Sequence, residues 1–337
     1  MAADTPPPDA PEFARRYVNV ADPRLGARAL ECSDEFFAPR ERMLDPAAPQ
    51  FVPGKYDAHG KWMDGWESRR KRVPGHDWCV VRLARATQVH GLEIDTRHFT
   101  GNYPPSASVE ACWLLDGDPD LETEWWPLLA QTDLDGDKRQ FFATDPARPC
   151  THVRLNIFPD GGVARLRVHG VPQFDAERAD ADGLYELSAA CSGGTIIASN
   201  NEHYGSSSNL LLPGRGVDMG DGWETRRRRE PGHDWCIVRL SRPGTIDAIE
   251  IDTAHFKGNY PDRASLQAAL VTGEHSDESL VSQSMAWPVL MPETPLHPDK
   301  QMLFVEQIAD LPPVSHVRFN IHPDGGVSRL RLRGRPV

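Results

Sequence analysis

The sequence predicts an all-β protein built from two copies of one β-sandwich of the jelly-roll kind. Three observations carry that expectation. Long motifs recur at fixed distances, the apolar runs have strand length and alternate, and 30 Pro with 27 Gly in 337 residues leave long helices little room.

The repeat decides the organisation. Asp64-Gly65-Trp66-Glu67-Ser68-Arg69-Arg70 returns as Asp221-Gly222-Trp223-Glu224-Thr225-Arg226-Arg227, and Gly75-His76-Asp77-Trp78-Cys79 returns as Gly232-His233-Asp234-Trp235-Cys236. Asp95-Thr96-Arg97-His98-Phe99 with Gly101-Asn102-Tyr103-Pro104 returns as Asp252-Thr253-Ala254-His255-Phe256 with Gly258-Asn259-Tyr260-Pro261. All three pairs lie 157 residues apart, and aligning 64–104 on 221–261 gives 27 identities in 41 positions without a gap. A further block at 152–163 recurs at 316–327, 164 residues on, so the second copy has seven extra residues between the blocks. Glu35-Phe36-Phe37-Ala38 matches Glu202-His203-Tyr204-Gly205 at an offset of 167, which gives the first copy a longer loop around 45–63. Each copy is roughly 150 residues, the size of a folded domain rather than of a solenoid unit. The expected division is a flexible lead at 1–19, a first domain at 20–170, a linker at 171–183 and a second domain at 184–337.

Within a copy, strands are expected at 78–83, 89–94, 107–113, 152–157 and 164–168. Leu92 and Ile94 alternate with Glu93 and Asp95, and Val153, Leu155 and Ile157 with Arg154 and Asn156, as in strands with one buried face. Apolar residues at 39% with 9 Trp and 12 Phe make a folding composition. A net charge of −12 argues against nucleic acid and anionic membrane as partners. No stretch approaches the roughly 20 apolar residues of a membrane span, and the N-terminus lacks the pattern of a secretory signal. The six cysteines form no Cys-x-x-Cys, so reduced thiols in a cytoplasmic protein are expected.

The Trp-Glu-Ser/Thr-Arg-Arg segments are the first candidates for a site. Arg69, Arg70, Arg226 and Arg227 suit an anion, because a guanidinium holds a carboxylate with two parallel hydrogen bonds. The plain alternative is a solvated loop whose arginines pair with local acids. Against it, Trp66 and Glu67 (Trp223 and Glu224) share the segment, which leads into Gly-His-Asp. Anchor, acid, base and cation thus fall within a dozen residues, twice. His76, His98, His233 and His255 suit proton transfer near neutral pH, or else cap turns. His152 and His316, at strand starts, are weaker candidates. Asp160 and Asp324 stand in Pro-Asp-Gly-Gly, where the Gly pair is explained by a tight turn alone and the Asp is left to point into a site. A divalent metal stays open as a cofactor, since His and Asp are ligands, but no Cys/His cluster or His-x-x-x-His pair is present. Nucleotide-binding and serine-nucleophile motifs are absent.

These motifs resemble the allantoicase family: Ser-Asp-Glu-Phe-Phe-Ala at 33–38, Met-Asp-Gly-Trp-Glu-Ser-Arg-Arg at 63–70, Gly-His-Asp-Trp at 75–78, Asp-Thr-x-His-Phe-x-Gly-Asn at 95–102, and their second-copy forms. The resemblance runs from about residue 20 to the end. It implies two jelly-roll (galactose-binding-like) domains and the conversion of allantoate and water into ureidoglycolate and urea. The substrate carboxylate then wants Arg69/Arg70 or Arg226/Arg227, the ureido N–H groups want Glu67/Glu224 and Asp160/Asp324, and the histidines move protons. A non-catalytic carbohydrate-binding pair and a ureidoglycolate lyase are the rival readings. The implied partner is a small molecule, and homo-oligomerisation is left open. The copies differ where Met219-Gly220 replaces Trp62-Met63, Ala254 faces Arg97, Lys257 faces Thr100 and His322 faces Phe158.

Overall fold

The structure is a computed structural model that describes residues 4, 6, 7, 9–175, 177 and 179–337. Chain packing divides it after residue 173 into two compact units. The first contains helix α1 (Glu12–Arg16) and strands β1 (Val18–Asn19), β2 (Arg28–Cys32), β3 (Tyr56–Asp57), β4 (Gly60–Lys61), β5 (Trp66–Glu67), β6 (Asp77–Asp95), β7 (Ser106–Cys112), β8 (Trp126–Asp133), β9 (Arg139–Ala143), β10 (Cys150–Phe158), β11 (Gly162–Val163) and β12 (Arg165–Pro172). The second contains β13 (Tyr185–Glu186), β14 (Thr195–Ser199), β15 (Trp223–Glu224), β16 (Asp234–Asp252), β17 (Arg263–Ala269), helix α2 (Asp277–Ser284), β18 (Val289–Pro295), β19 (Gln301–Phe304), β20 (Val314–His322), β21 (Gly326–Val327) and β22 (Arg329–Pro336).

One long strand organises each unit. The first part of β6 pairs antiparallel with β10 (Asp77 opposite Ile157, Arg82 opposite His152) and with β2. Its last part pairs with β12 (Asp95 opposite Arg165) and with β9. The sequence suggested two strands here, separated by Ala84-Arg-Ala-Thr-Gln88. Instead the polar stretch is the crossing point of one strand that belongs to both layers. β16 repeats the arrangement, with β20 and β14 on its first part and β22 and β19 on its last. Val81, Leu92, Ile94, Val109, Leu155, Ile157 and Leu166 fill the first core, and the alternation is kept only in part. Val153, Leu155 and Ile157 are fully buried and Arg154 is half-buried against Glu110, but Asn156, Glu93 and Asp95, read as the outward side, are buried too.

Several boundaries differ from expectation. Val171 and Pro172, read as linker, pair with Gln88 and Thr87 in β12. Within the lead read as flexible, residues 12–16 are helical and Val18 pairs with Gly170; residues 1–3, 5 and 8 lie outside the described residues, as do 176 and 178 of the linker. The longer β17–β18 connection of the second copy carries α2, whose N-terminus is capped by the Ser276 hydroxyl accepting from Ser279 N–H. The longer loop of the first copy contains the β3–β4 hairpin, with Tyr56 opposite Lys61.

Candidate active site

Three repeated motifs meet around the small ladder of β5 and β11. Gly162 pairs with Glu67 and Val163 with Trp66. Ser68 N–H donates to the Gly161 carbonyl (3.1 Å), and Gly162 N–H donates to the Asn102 carbonyl (2.7 Å). The glycine pair is therefore more than a turn. Gly161 has φ +143°, and a Cβ there would lie 2.6 Å from Pro104 N; a Cβ on Gly162 would lie 1.9 Å from the Phe99 ring. Only glycine lets the Asp-Gly-Trp-Glu, Gly-Asn-Tyr-Pro and Pro-Asp-Gly-Gly segments come this close.

That junction presents Glu67 to a cavity of about 370 Å³ lined by Phe37, Lys61, Met63, His98, Thr100 and Asn102 among others. Asn102 Nδ2 donates to Glu67 Oε1 at 2.7 Å. Burial pushes the Glu67 carboxyl above its ordinary range, against the Asn102 hydrogen bond and the Lys61 charge, which pull it down. His98 has φ 71°, a left-handed conformation that a non-glycine residue holds only under constraint. The constraints are Asp137 Oδ1, which accepts from His98 N–H (2.8 Å), and the Pro49 carbonyl, 3.1 Å from His98 Nε2. A carbonyl only accepts, so Nε2 carries a proton and donates it, which makes Nδ1 the acceptor nitrogen of the neutral ring. A carboxylate of raised basicity, an oriented imidazole, an amide and an ammonium thus face one polar space.

The other residues singled out in the sequence sit elsewhere. Trp66 is fully buried in the core, its indole N–H donating to the Asp34 carbonyl (2.8 Å), so it backs the site rather than touching a ligand. Arg69 points to Asp34, with Nη2 2.6 Å and Nε 2.7 Å from Oδ2, on the wall of a separate cavity of about 420 Å³. Burial raises the Asp34 carboxyl, but the backbone and guanidinium N–H groups of Arg69 outweigh it and hold Asp34 below the usual range. Arg70 is exposed. Asp160 accepts from Lys71 N–H (2.8 Å) and so pins the basic run. His76 lies against the Phe158 ring, 4.7 Å between centroids, and does not line the Glu67 cavity. His152 is buried, and burial lowers it to about 4. Lys61, Thr100, Asn102 and Phe37 were not singled out, although Asn102 stood in a quoted repeat.

The second unit keeps the junction. Asn259 Nδ2 donates to Glu224 Oε1, Gly326 N–H to the Asn259 carbonyl (2.8 Å), and Arg228 N–H to Asp324 Oδ2 (2.9 Å). His255 repeats φ 71°, with Nε2 2.8 Å from the Gly216 carbonyl. Trp223 is fully buried, its indole N–H on the Asn201 carbonyl. His233 meets Asn320 Oδ1 at 3.2 Å, and burial lowers its pKa; Arg226 and Arg227 are exposed. Among the described residues no three His, Cys, Asp or Glu side chains converge as metal ligands, so these residues do not make a metal centre by themselves.

Fold and site together define a tandem β-sandwich protein with a polar small-molecule cavity at a ladder written twice. The Allantoicase repeat family matches residues 18–173 and again 185–337. Probable allantoicase 1 of Burkholderia mallei is 60% identical over 334 residues, 99% of each chain, and probable allantoicase of Ralstonia nicotianae is 56% identical over 334 residues, again 99% of each. The crystal structure of allantoicase from Saccharomyces cerevisiae superposes with a TM-score of 0.79 at 32% identity, covering 96% of both chains. The chain belongs to the allantoicase family.

Proposed function

We propose that this protein hydrolyses allantoate to ureidoglycolate and urea, and that the Glu67 cavity of the first unit is where it does so. Releasing intact urea means breaking the bond between the central carbon and one ureido nitrogen. Water must lose a proton as it adds, and the leaving nitrogen must gain one. Glu67 is the base: burial brings its basicity toward neutral pH, and Asn102 fixes the direction of its lone pairs. His98, with Nε2–H committed to the Pro49 carbonyl, moves the second proton through Nδ1. Glu224, Asn259 and His255 form the corresponding set of the second unit. Asp160/Asp324 and His76/His233 support the frame, Trp66/Trp223 back it, and the exposed Arg70 and Arg227 attract the anionic substrate.

Family membership together with the half-buried, amide-held Glu67 supports this reading. All six cysteines are free thiols, in keeping with a cytoplasmic enzyme, and among the described residues no helix is long and apolar enough to cross a membrane. Incubation with allantoate and measurement of urea tests the activity. Glu67→Gln is expected to lower kcat about 10²–10⁴-fold, with Glu224→Gln losing less. Glycan binding without urea release would support the carbohydrate-binding rival, and wild-type kinetics in both variants would refute the site.

A further inference from the structure

We propose that the substrate carboxylate is anchored by Lys61, and that Arg69 acts at a distance by holding the hairpin that carries Lys61. The proposal rests on the Glu67 cavity being the reacting site. Lys61 is the cation among the residues that line that cavity, and its charge is felt by Glu67. It stands on the β3–β4 hairpin with Nζ 4.5 Å from the centroid of the Phe51 ring. A cation and a basic carboxylate lining one cavity match an anionic carbon skeleton with N–H groups. Arg69 cannot give the same service from its place, because both its Nε and Nη2 are spent on Asp34.

Arg69 nonetheless reaches the hairpin. Its guanidinium lies over Phe36 (5.1 Å), and Phe36 in turn stacks on His59 (4.4 Å, 29°) and meets the Phe37 ring edge-on (5.2 Å). His59 is two residues from Lys61, in the turn that joins the hairpin strands. The column Asp34–Arg69–Phe36–His59 fastens the turn, while Lys55 over Trp62 (3.5 Å) closes the base of the hairpin. Phe36 and Phe37, neighbours in sequence, line different cavities, so the latch and the reacting groups share one backbone.

The second unit keeps the arginine and its backbone N–H bond (Arg226 N–H to Asn201 Oδ1, 3.3 Å) but lacks the rest of the device. Asn201 stands where Asp34 does, and Arg226 turns to Glu230 (3.4 Å). His203 replaces Phe36, and among the described residues 206–222 form short helical turns with no hairpin. Its Lys257 lies near Asp299 (4.0 Å) instead.

Steady-state kinetics on allantoate with the full chain test this. Lys61→Met should raise KM about 10–100-fold with kcat within about threefold, and Lys61→Arg should restore most of the loss. Because Lys61 holds the Glu67 carboxyl down, Lys61→Met should also move the acid limb of kcat to higher pH. Arg69→Ala should raise KM alone but add nothing in the Lys61→Met background, and Arg226→Ala should leave KM unchanged. Phe36→Leu breaks the same column if Arg69→Ala fails to fold. An unchanged KM in Lys61→Met beside an inactive Glu67→Gln would overturn the anchor while leaving the site standing. Multiplying effects of Arg69→Ala and Lys61→Met would overturn the latch, since Arg69 would then touch substrate itself. An active Glu67→Gln would instead sink the site reading on which this proposal depends.

Discussion

The two units agree in the frame and differ at the rim. Both have the 19-residue strand, the Gly-Gly contact with a phenylalanine ring, the Asn-to-Glu hydrogen bond and a histidine at φ 71°. Around that frame, Asp34 faces Asn201, Thr100 faces Lys257, and the β3–β4 hairpin has no counterpart among the described residues. Interlocked backbone tolerates little: an added Cβ at Gly162 or Gly326 would overlap a ring at about 2 Å. Rim side chains carry no such constraint, so the copies are free to differ where a ligand is met. Buried frame and exposed rim are thus separate chemical problems.

The comparison can be broken at the frame first. Trp66→Ala and Trp223→Ala should each cost about 3–5 kcal/mol, because both remove a fully buried indole. Denaturant unfolding measures this, and a cost confined to one copy would mean that the frames are not equivalent. Acid should then separate the units. His152 and His169 in the first unit and His316 in the second are held by burial at about 4, below their ordinary 6.5. Folded histidines that refuse the proton lose stability as pH falls from 6.5 toward 4, and each withdraws about 1–3 kcal/mol. Milder depressions add His90 to the first unit and His233 and His322 to the second, so the first unit, with two of the three deep ones, should lose more stability across that window. His169 corresponds to Arg333, so His169→Gln should flatten the difference, and an unaltered acid profile would sink the assignment. The smallest effect sharpens the site. Asn102 holds the Glu67 carboxyl down, so Asn102→Ala should move the acid limb of kcat upward by less than about one pH unit. A downward movement would remove Glu67 from the role of base.

Much of the frame was legible in the sequence because repetition marks it: the two units and their strands follow from residues written twice, whereas the meeting of three repeated motifs at the β5–β11 ladder came only with the fold. Trp66 misled for a physical reason. A tryptophan inside a polar segment suggests an exposed ring, yet its single N–H needs only one carbonyl, and Asp34 supplies it in the core. Arg69 misled because its partner lies 35 positions away, with nothing between them to signal the pair. The hairpin was illegible because its loop is unique to one copy and Lys61 is an ordinary exposed lysine until the fold brings it to the cavity that Glu67 lines. Residues 84–88 looked like a break because polarity resembles a turn, whereas here the strand runs on through them, with Thr87 fully buried and its hydroxyl on the Arg85 carbonyl.

That crossing strand has a mechanical consequence. A strand sewn into both layers denies either layer an independent way to open, since peeling one sheet strips hydrogen bonds from the other. Amides near Leu92 and Ile249 should therefore exchange with solvent only when their whole unit unfolds. The hairpin bearing Lys61 pairs only within itself and is held by the Asp34–Arg69–Phe36–His59 column rather than by a ladder of the large sheet, so loosening that column leaves the strands beneath it paired.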